Sequence, residues 1–393
     1  MRLGVYADLV YRRRGSTITT DRAFVRFVTS LPPRVEEVVI FGRLDPEPGS
    51  RPYALPSESV RFVPLPYYPR VDAVGQLARA ARASCATFAR ELERLDAVWI
   101  FGPHPLALPF AWIARRRGKP LVLGVRQDYP QYIRGRLPGR GWLWAIPAAR
   151  ALERSFRRLA RKAPTVAVGE DLARKYAHGE APVLAVGLSL VRESELVTLA
   201  SALARSWDDG LQLITVGRLD PEKNPLLLPE ILARLRSREP RWRLVAVGDG
   251  PLGAAVESRA AKLGVAAALD LPGYVPNGPA LWERYRASHA FLHVSLTEGL
   301  PQVLFEAQAA GLPIVATRVG GVAAALGEAG ALLVPPCDAE AAVDAIVRLT
   351  RDPELRRRLI EGGLQRAATE TMEAQLDRVA SFLRDQTQTA RRT

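Results

Sequence analysis

A chain of 393 residues is long enough for two domains, and 48% hydrophobic with 24% charged residues is the balance of a globular protein, which excludes a disordered or fibrous chain. Two cysteines, Cys85 and Cys337, lie far apart without partner spacing, so no disulfide framework or thiolate metal site is expected and a reducing, cytoplasmic setting fits. The net charge of +14 lies wholly in the first half: residues 1–190 hold 31 Lys and Arg against 16 Asp and Glu, whereas residues 191–393 hold 24 against 25, which fits either an anionic partner for the first half or Arg-rich solvated faces.

In chain order, the first residues reach Asp8 before any apolar run of signal-peptide length, so no export is expected. Strands are predicted over 3–7, 37–41, 60–65, 98–102, 121–125, 165–168 and 183–186. The uncharged stretch 97–114 is interrupted by Pro103, Pro105 and Pro109 and reads as strand, turn and helix, not as a membrane span. From Arg134 to Lys162 nine basic residues stand against the single Glu153, with Trp142, Leu143, Trp144 and Ile146 among them. Pro147 is placed at the start of a helix with Ala148, Ala151, Leu152, Phe156 and Leu159 on one face and Arg150, Arg154, Arg157, Arg158 and Arg161 largely opposite. Such a segment suits anionic lipid headgroups, or equally a core-packing helix with a solvated Arg face; no nucleic-acid module is recognisable.

No strand is predicted over 187–210, which sets a domain boundary there and gives an N-terminal domain over 1–190 and a C-terminal one over 210–370. The second half alternates strands over 211–216, 243–247, 269–271, 290–294, 314–317 and 331–334 with helices near 225–238, 251–263, 278–288, 301–310 and 339–350. This alternation is the pattern of an α/β chain with two Rossmann-like, doubly wound domains. Helical periods continue over 353–368 and 371–385, ahead of a polar tail.

Chemistry-bearing residues cluster just after strands of the second half, where open parallel sheets hold ligands. Gly217 lets backbone approach a ligand, and Arg218 and Lys223 straddle a turn and together could neutralise a diphosphate, or be merely solvated. Gly248-Asp249-Gly250-Pro251 follows the next strand, and Gly273-Tyr274-Val275-Pro276 forms a platform beside a flat group. In Thr297-Glu298-Gly299-Leu300-Pro301 the proline fits a first helical turn, so the N–H groups of Gly299 and Leu300 form an anion site. A carboxylate is repelled by phosphate, so Glu298 and Glu306 would accept hydrogen bonds from hydroxyls; a helix-start charge and a solvated face residue are the plainer readings.

Taken with Ala310-Gly311-Leu312-Pro313 and Gly320-Gly321, these motifs in this order resemble the donor-binding half of the glycosyltransferase group 1 family, retaining enzymes of GT-B fold, over roughly residues 210–350. The resemblance implies two Rossmann-like domains facing across a cleft, with the helix 371–385 returning to the first. It implies Arg218 and Lys223 on the diphosphate of a nucleotide-sugar donor, Glu298 on the sugar, Glu306 on the ribose, Gly299 and Leu300 adding backbone donors, and Tyr274 and Val275 facing the base. No metal or cofactor is implied, since the cations meet the charge that develops on the leaving diphosphate.

In the first half the family's glycine pair corresponds to Gly15 with Ser16, and the family's histidine position reads Arg126-Gln127-Asp128. Asp128 and His104 are therefore the candidates for an acid/base or sugar-binding role. The expected function is metal-independent transfer of a sugar to a lipid-linked or polysaccharide acceptor by a cytoplasmic protein, peripheral on a membrane through 134–162; a nucleotide-sugar epimerase or a non-catalytic carbohydrate-binding relative are the alternatives. His289 and His293 are four apart but lie on a predicted strand, so no zinc helix is expected.

Overall fold

The computed structural model describes residues 1–32, 34–56, 58–69, 74–136, 144–327 and 330–392. The chain divides into two compact units, one of Met1–Leu188 with Ala374–Thr393 and one of Ser189–Glu373. No described helix is long and apolar enough to cross a membrane.

The first unit contributes β1 (Arg2–Arg14), β2 (Thr17–Thr20), β3 (Glu37–Leu44), β4 (Tyr53–Ala54), β5 (Val60–Leu65), β6 (Ala97–Gly102), β7 (Leu121–Val125), β8 (Thr165–Val168) and β9 (Val183–Val186) to one sheet. Its parallel body runs β5-β3-β1-β6-β7-β8-β9, so the order reverses beside β1. Beyond Tyr11, β1 leaves this body and pairs antiparallel with β2, which in turn pairs with β4. The β1–β3 register shifts between Tyr6 and Val10. Asp8 therefore sits in an irregularity, the kind of place where a strand re-aims a side chain.

The second unit holds β10 (Leu211–Val216), β11 (Trp242–Val247), β12 (Leu269–Asp270), β13 (Ala290–His293), β14 (Ile314–Thr317) and β15 (Ala331–Val334). All pair in parallel in the order β12-β11-β10-β13-β14-β15, the doubly wound arrangement with its switch point between β10 and β13. The strands are apolar on both faces because helices cover both. Leu211 and Leu213 pack with Leu228, Ile231 and Leu232 of the helix Leu227–Arg238, while Ile214 points the other way, into a cluster with Phe291, Leu304 and Phe305. Each such buried side chain contributes about 1.5–3 kcal/mol, which is why these strands are readable as short β-branched runs.

The final helix, Met372–Arg392, buries Leu376, Val379, Ala380 and Leu383. Gln375 Oε1 accepts from the Gly187 N–H at 3.0 Å, Arg378 donates to the Ala185 carbonyl at 2.7 Å, and Asp377 pairs with Arg34 at 2.5 Å. All three partners belong to the first unit.

Candidate functional site

At the carboxyl ends of the second unit's strands, the loops touch backbone to backbone. The Gly217 N–H donates to the Val247 carbonyl at 3.0 Å, that of Gly248 to Gly273 at 2.9 Å, and that of Leu219 to Asp249 at 2.9 Å. Gly248 has φ +141°, and a Cβ there would stand 1.9 Å from the Gly217 carbonyl oxygen, so only glycine allows this approach. Asp249 accepts from the Tyr274 N–H at 3.0 Å and holds that loop, leaving the Tyr274 residue 50% exposed.

Across the switch point, Lys223 Nζ lies 2.5 Å from Glu298 Oε1, and His293 Nε2 lies 3.1 Å from the same oxygen. The Glu298 side chain is only 8% exposed. Burial alone would raise its pKa, but the close approach of His293 and the charge of Lys223 outweigh that and lower it from 4.5 to about 2. Glu298 is thus a fixed carboxylate at neutral pH. Its loop is clamped from behind: a Cβ on Gly320 would meet the Glu298 carbonyl oxygen at 1.9 Å, and one on Gly321 the Gly299 carbonyl oxygen at 1.8 Å.

Arg218, half exposed, pairs with Asp220 and, at 2.7 Å, with Glu222. The structure therefore brings Arg218, Lys223 and Glu298 to one switch point but holds both cations against carboxylates, which reading the turn as solvated cations did not anticipate. Glu306 is buried, not a solvated face residue; it accepts from Asn277 Nδ2 and the Tyr285 hydroxyl, each at 2.8 Å. Burial, reinforced by this carboxylate, pushes the Tyr285 hydroxyl well above its ordinary pKa. Pro301 is extended (φ −72°, ψ 116°) and precedes the helix Gln302–Ala309 instead of lying in its first turn. Gly299 and Leu300 consequently lie in the loop, one step outside the helix.

The first unit holds its own cluster at the ends of β1, β3 and β6. Asp8 Oδ1 lies 2.9 Å from Arg43 Nε and 2.8 Å from the Tyr68 hydroxyl; Oδ2 lies 3.0 Å from Arg43 Nη2 and 3.2 Å from His104 Nε2. Burial would raise the Asp8 carboxyl, but His104, Arg43 and Tyr68 together hold it well below the usual carboxylate range. His104 Nδ1 receives the Leu106 N–H at 3.3 Å and meets the Tyr6 hydroxyl at 2.8 Å. A nitrogen that accepts from a backbone N–H carries no proton, so the ring proton belongs on Nε2, facing Asp8. Both ring nitrogens of His104 are thus held by neighbours of its own unit.

Asp128 is also redirected. Its Oδ1 accepts from the Gln131 N–H at 3.1 Å, capping the helix Tyr129–Arg136, and its Oδ2 pairs with Lys175 at 2.8 Å. Gly15, at φ +59°, and Ser16 form the turn of the β1–β2 hairpin, not a strand-to-helix loop. Ser16 lines a cavity with Glu36, Glu37 and Glu58 at the side where β3 and β5 begin. Arg61 lines the same cavity, 3.1 Å from Glu37, so its charge is mixed, and what departs from the expected glycine pair is the hairpin turn itself.

Trp142 and Leu143 lie outside the described residues. The basic helix spans Ala145–Ala160, beginning ahead of Pro147, and buries Ala149, Glu153, Phe156 and Ala160, while Ala148 and Ala151 are exposed. The face is rotated because Glu153 is drawn inward by Lys175, 2.7 Å away. Trp144 is 56% exposed, and Arg150, Arg154, Arg158 and Arg161 face solvent.

Asp8, Arg43, Tyr68, His293, Asn277 and Tyr285 escaped sequence reasoning as site residues. Asp8 had a signal, a carboxylate directly after the first strand's apolar run; the others are brought in by contacts far apart in the chain.

Residues 205–366 match the sequence profile of the family described as Glycosyl transferases group 1, and residues 20–186 match that of the Glycosyl transferase 4-like domain. The chain is 41% identical over 171 residues to the D-inositol 3-phosphate glycosyltransferase of Frankia alni, a match covering 41% of this chain and 42% of that protein. It is 36% identical over 168 residues to the protein of the same name from Saccharomonospora viridis, covering 40% and 39%. The matches thus span about two fifths of these relatives' length. Among solved structures, sucrose-phosphate synthase from Thermosynechococcus elongatus superposes with a TM-score of 0.74 at 20% identity, covering 98% of each chain. Anabaena HepE in complex with UDP-glucose gives 0.70 at 15% identity, covering 98% of this chain and 100% of that one. At such identities the likeness is one of fold, a GT-B architecture of parallel α/β sheets.

Proposed function

We propose, from the premise that this chain belongs to the glycosyl transferases group 1 family, that it moves a sugar from a nucleoside-diphosphate sugar to an acceptor hydroxyl with retention of configuration and without a metal. The observation that carries the reading is the Lys223–Glu298 pair fixed at the switch point between β10 and β13. One ammonium there can touch two groups. Lys223 uses a single donor on Glu298 and keeps two for a phosphate, and Arg218 likewise retains N–H groups beyond its two carboxylate contacts. Glu298, kept ionised, accepts from hydroxyls of the sugar; Glu306 takes the ribose, and the Tyr274–Val275 loop faces the base. The Gly299 and Leu300 N–H groups have no acceptor among the described residues and supply further donors to the leaving oxygens.

In the transfer, the bond from the anomeric carbon to the diphosphate oxygen breaks while the acceptor oxygen bonds to that carbon. The acceptor proton passes to the leaving phosphate, whose charge Arg218 and Lys223 balance. His104 and Asp128 being engaged elsewhere, the leaving phosphate is the base that serves the acceptor, and a reaction on that face retains configuration.

A lipid-linked sugar or a growing polysaccharide is the acceptor suggested by the basic first half, with the arginine row of the helix Ala145–Ala160 and Trp144 resting on the cytoplasmic face of an anionic membrane. A small phosphorylated acceptor is the second reading, favoured by the name that the 41%-identical relative carries. The test is calorimetric titration of UDP, GDP and ADP, followed by turnover of the matching nucleotide sugar with and without acceptor. Arg218→Ala and Lys223→Ala should each weaken nucleotide binding by about 1.5–3 kcal/mol, the scale of a charge-assisted hydrogen bond. Undiminished binding in both variants refutes the assignment, and full turnover without acceptor identifies an epimerase.

A further inference from the structure

At the carboxyl ends of the first unit's strands lies a cation with no ion-pair partner among the described residues. Arg126 follows β7 directly and is accessible to solvent. Its guanidinium lies over the Phe24 ring, 4.3 Å from the centroid, and 5.9 Å from that of Phe101. Among the described residues it donates no hydrogen bond and forms no ion pair. Asp8 reaches it electrostatically, but both Asp8 oxygens are already taken by Arg43, Tyr68 and His104. Arg22, at the end of β2, adds a like charge, and its own contact is the exposed, adjacent Asp21 at 3.4 Å. Surrounding protein, ahead of the Arg22 charge, lowers the Arg126 pKa to about 10, so the group stays cationic at neutral pH.

A guanidinium held over an aromatic ring without donating to protein keeps its N–H groups free, and these can grip an oxyanion with two parallel hydrogen bonds. A neutral hydroxyl would leave the Arg126 charge uncompensated, whereas an oxyanion compensates it and is drawn also by the neighbouring Arg22. The position, at the carboxyl end of a parallel strand, is where such sheets hold ligands. We propose that Arg126, supported by Arg22, binds a phosphoryl group carried by the acceptor. The word acceptor rests on the transferase reading above; the anion site does not.

The experiment titrates inorganic phosphate into the full chain carrying Lys223→Met and Glu298→Gln together, which removes the other phosphate-binding ammonium without stranding a buried charge. Saturable binding is expected, weakened at least tenfold by adding Arg126→Gln, severalfold by Arg22→Gln, and only partly restored by Arg126→Lys, which keeps charge but not the planar fork. Acetate at equal concentration should not compete. Arg126 donates to no described protein group and touches the Phe24 ring, so Arg126→Gln should lower the thermal midpoint without ligand only slightly, and lost binding by a protein that stays folded then reads as a lost site. Equal phosphate binding with and without Arg126→Gln, no binding in either, or competition by acetate overturns the proposal. UDP binding to the otherwise unaltered Arg126→Gln protein should match that of the parent. If the parent binds no nucleotide while phosphate still binds through Arg126, the donor-site reading fails and the anion site stands.

Discussion

Replacing Lys223 by Met should destabilise the second unit more than the loss of one surface charge would. The Glu298 side chain, 8% exposed, would then keep its negative charge with His293 alone beside it. Its pKa in the intact protein falls from 4.5 to about 2, which at 1.36 kcal/mol per pH unit corresponds to roughly 3 kcal/mol of favourable interaction in the folded state. His293 and Lys223 share that interaction, lying 3.1 and 2.5 Å from the same Glu298 oxygen. About 1–2 kcal/mol is therefore expected to disappear with Lys223, less than the roughly 3–5 kcal/mol of breaking a fully buried pair. Adding Glu298→Gln removes the stranded charge and should bring stability back to within about 1 kcal/mol of the parent. The sign with pH follows from the depressed carboxyl: its stabilisation is complete above about pH 4.5 and is lost as pH falls toward 2, so the parent's advantage over Lys223→Met should narrow between pH 5 and 3. Urea unfolding of the three proteins at pH 7 and pH 3.5 measures this. Equal midpoints for Lys223→Met and the double variant at pH 7 would show that Lys223 does not hold Glu298 as described.

Gly321→Ala should cost about 1–3 kcal/mol, because its Cβ would fall 1.8 Å from the Gly299 backbone oxygen, whereas Gly299→Ala, with nothing within 4 Å, should stay within about 0.5 kcal/mol; similar thermal shifts for the two would contradict the clamp. Sugar transfer should survive chelator treatment, and activity abolished by chelator and restored by magnesium would defeat the metal-independent reading. Neutralising Arg154, Arg157, Arg158 and Arg161 together should release the protein from acidic liposomes, at about 1 kcal/mol for each side chain near the surface, with nucleotide binding retained. Binding that ignores lipid charge or salt would assign the basic face to something else.

The strands over 60–65, 121–125, 165–168, 183–186, 211–216, 314–317 and 331–334 are found where the sequence places them, since a strand covered on both faces must be a short apolar run. The extension of β1 to Arg14 and the hairpin with β2 were not legible. Arg12-Arg13-Arg14 reads as a loop until Asp45, 2.8 Å from Arg12, is known to lie across from it. The same limit applied to the sites. Gly217, Arg218, Lys223 and Glu298 announce themselves because each follows a strand, whereas the coupling of Lys223 to Glu298 joins residues 75 apart. His293 was legible as a strand residue and illegible as a neighbour of Glu298. Asp128 and His104 carried the right chemistry, and only their partners, Lys175 for one and Asp8 with Tyr6 for the other, show that it is already spent.

The first unit is discontinuous in sequence: its share of the last helix, from Ala374 onward, is made after the whole of Ser189–Glu373. During synthesis, then, residues 1–188 emerge first yet cannot close, because the surface that receives Leu376, Val379, Ala380 and Leu383 waits for a segment encoded almost two hundred codons later. The uninterrupted second unit has every strand of its sheet in hand before that helix appears and is expected to finish first, reversing the usual N-to-C order. Tags, truncations and nonsense mutations near the C-terminus should accordingly injure the half of the molecule made earliest, leaving an apolar seam open to chaperones and proteases.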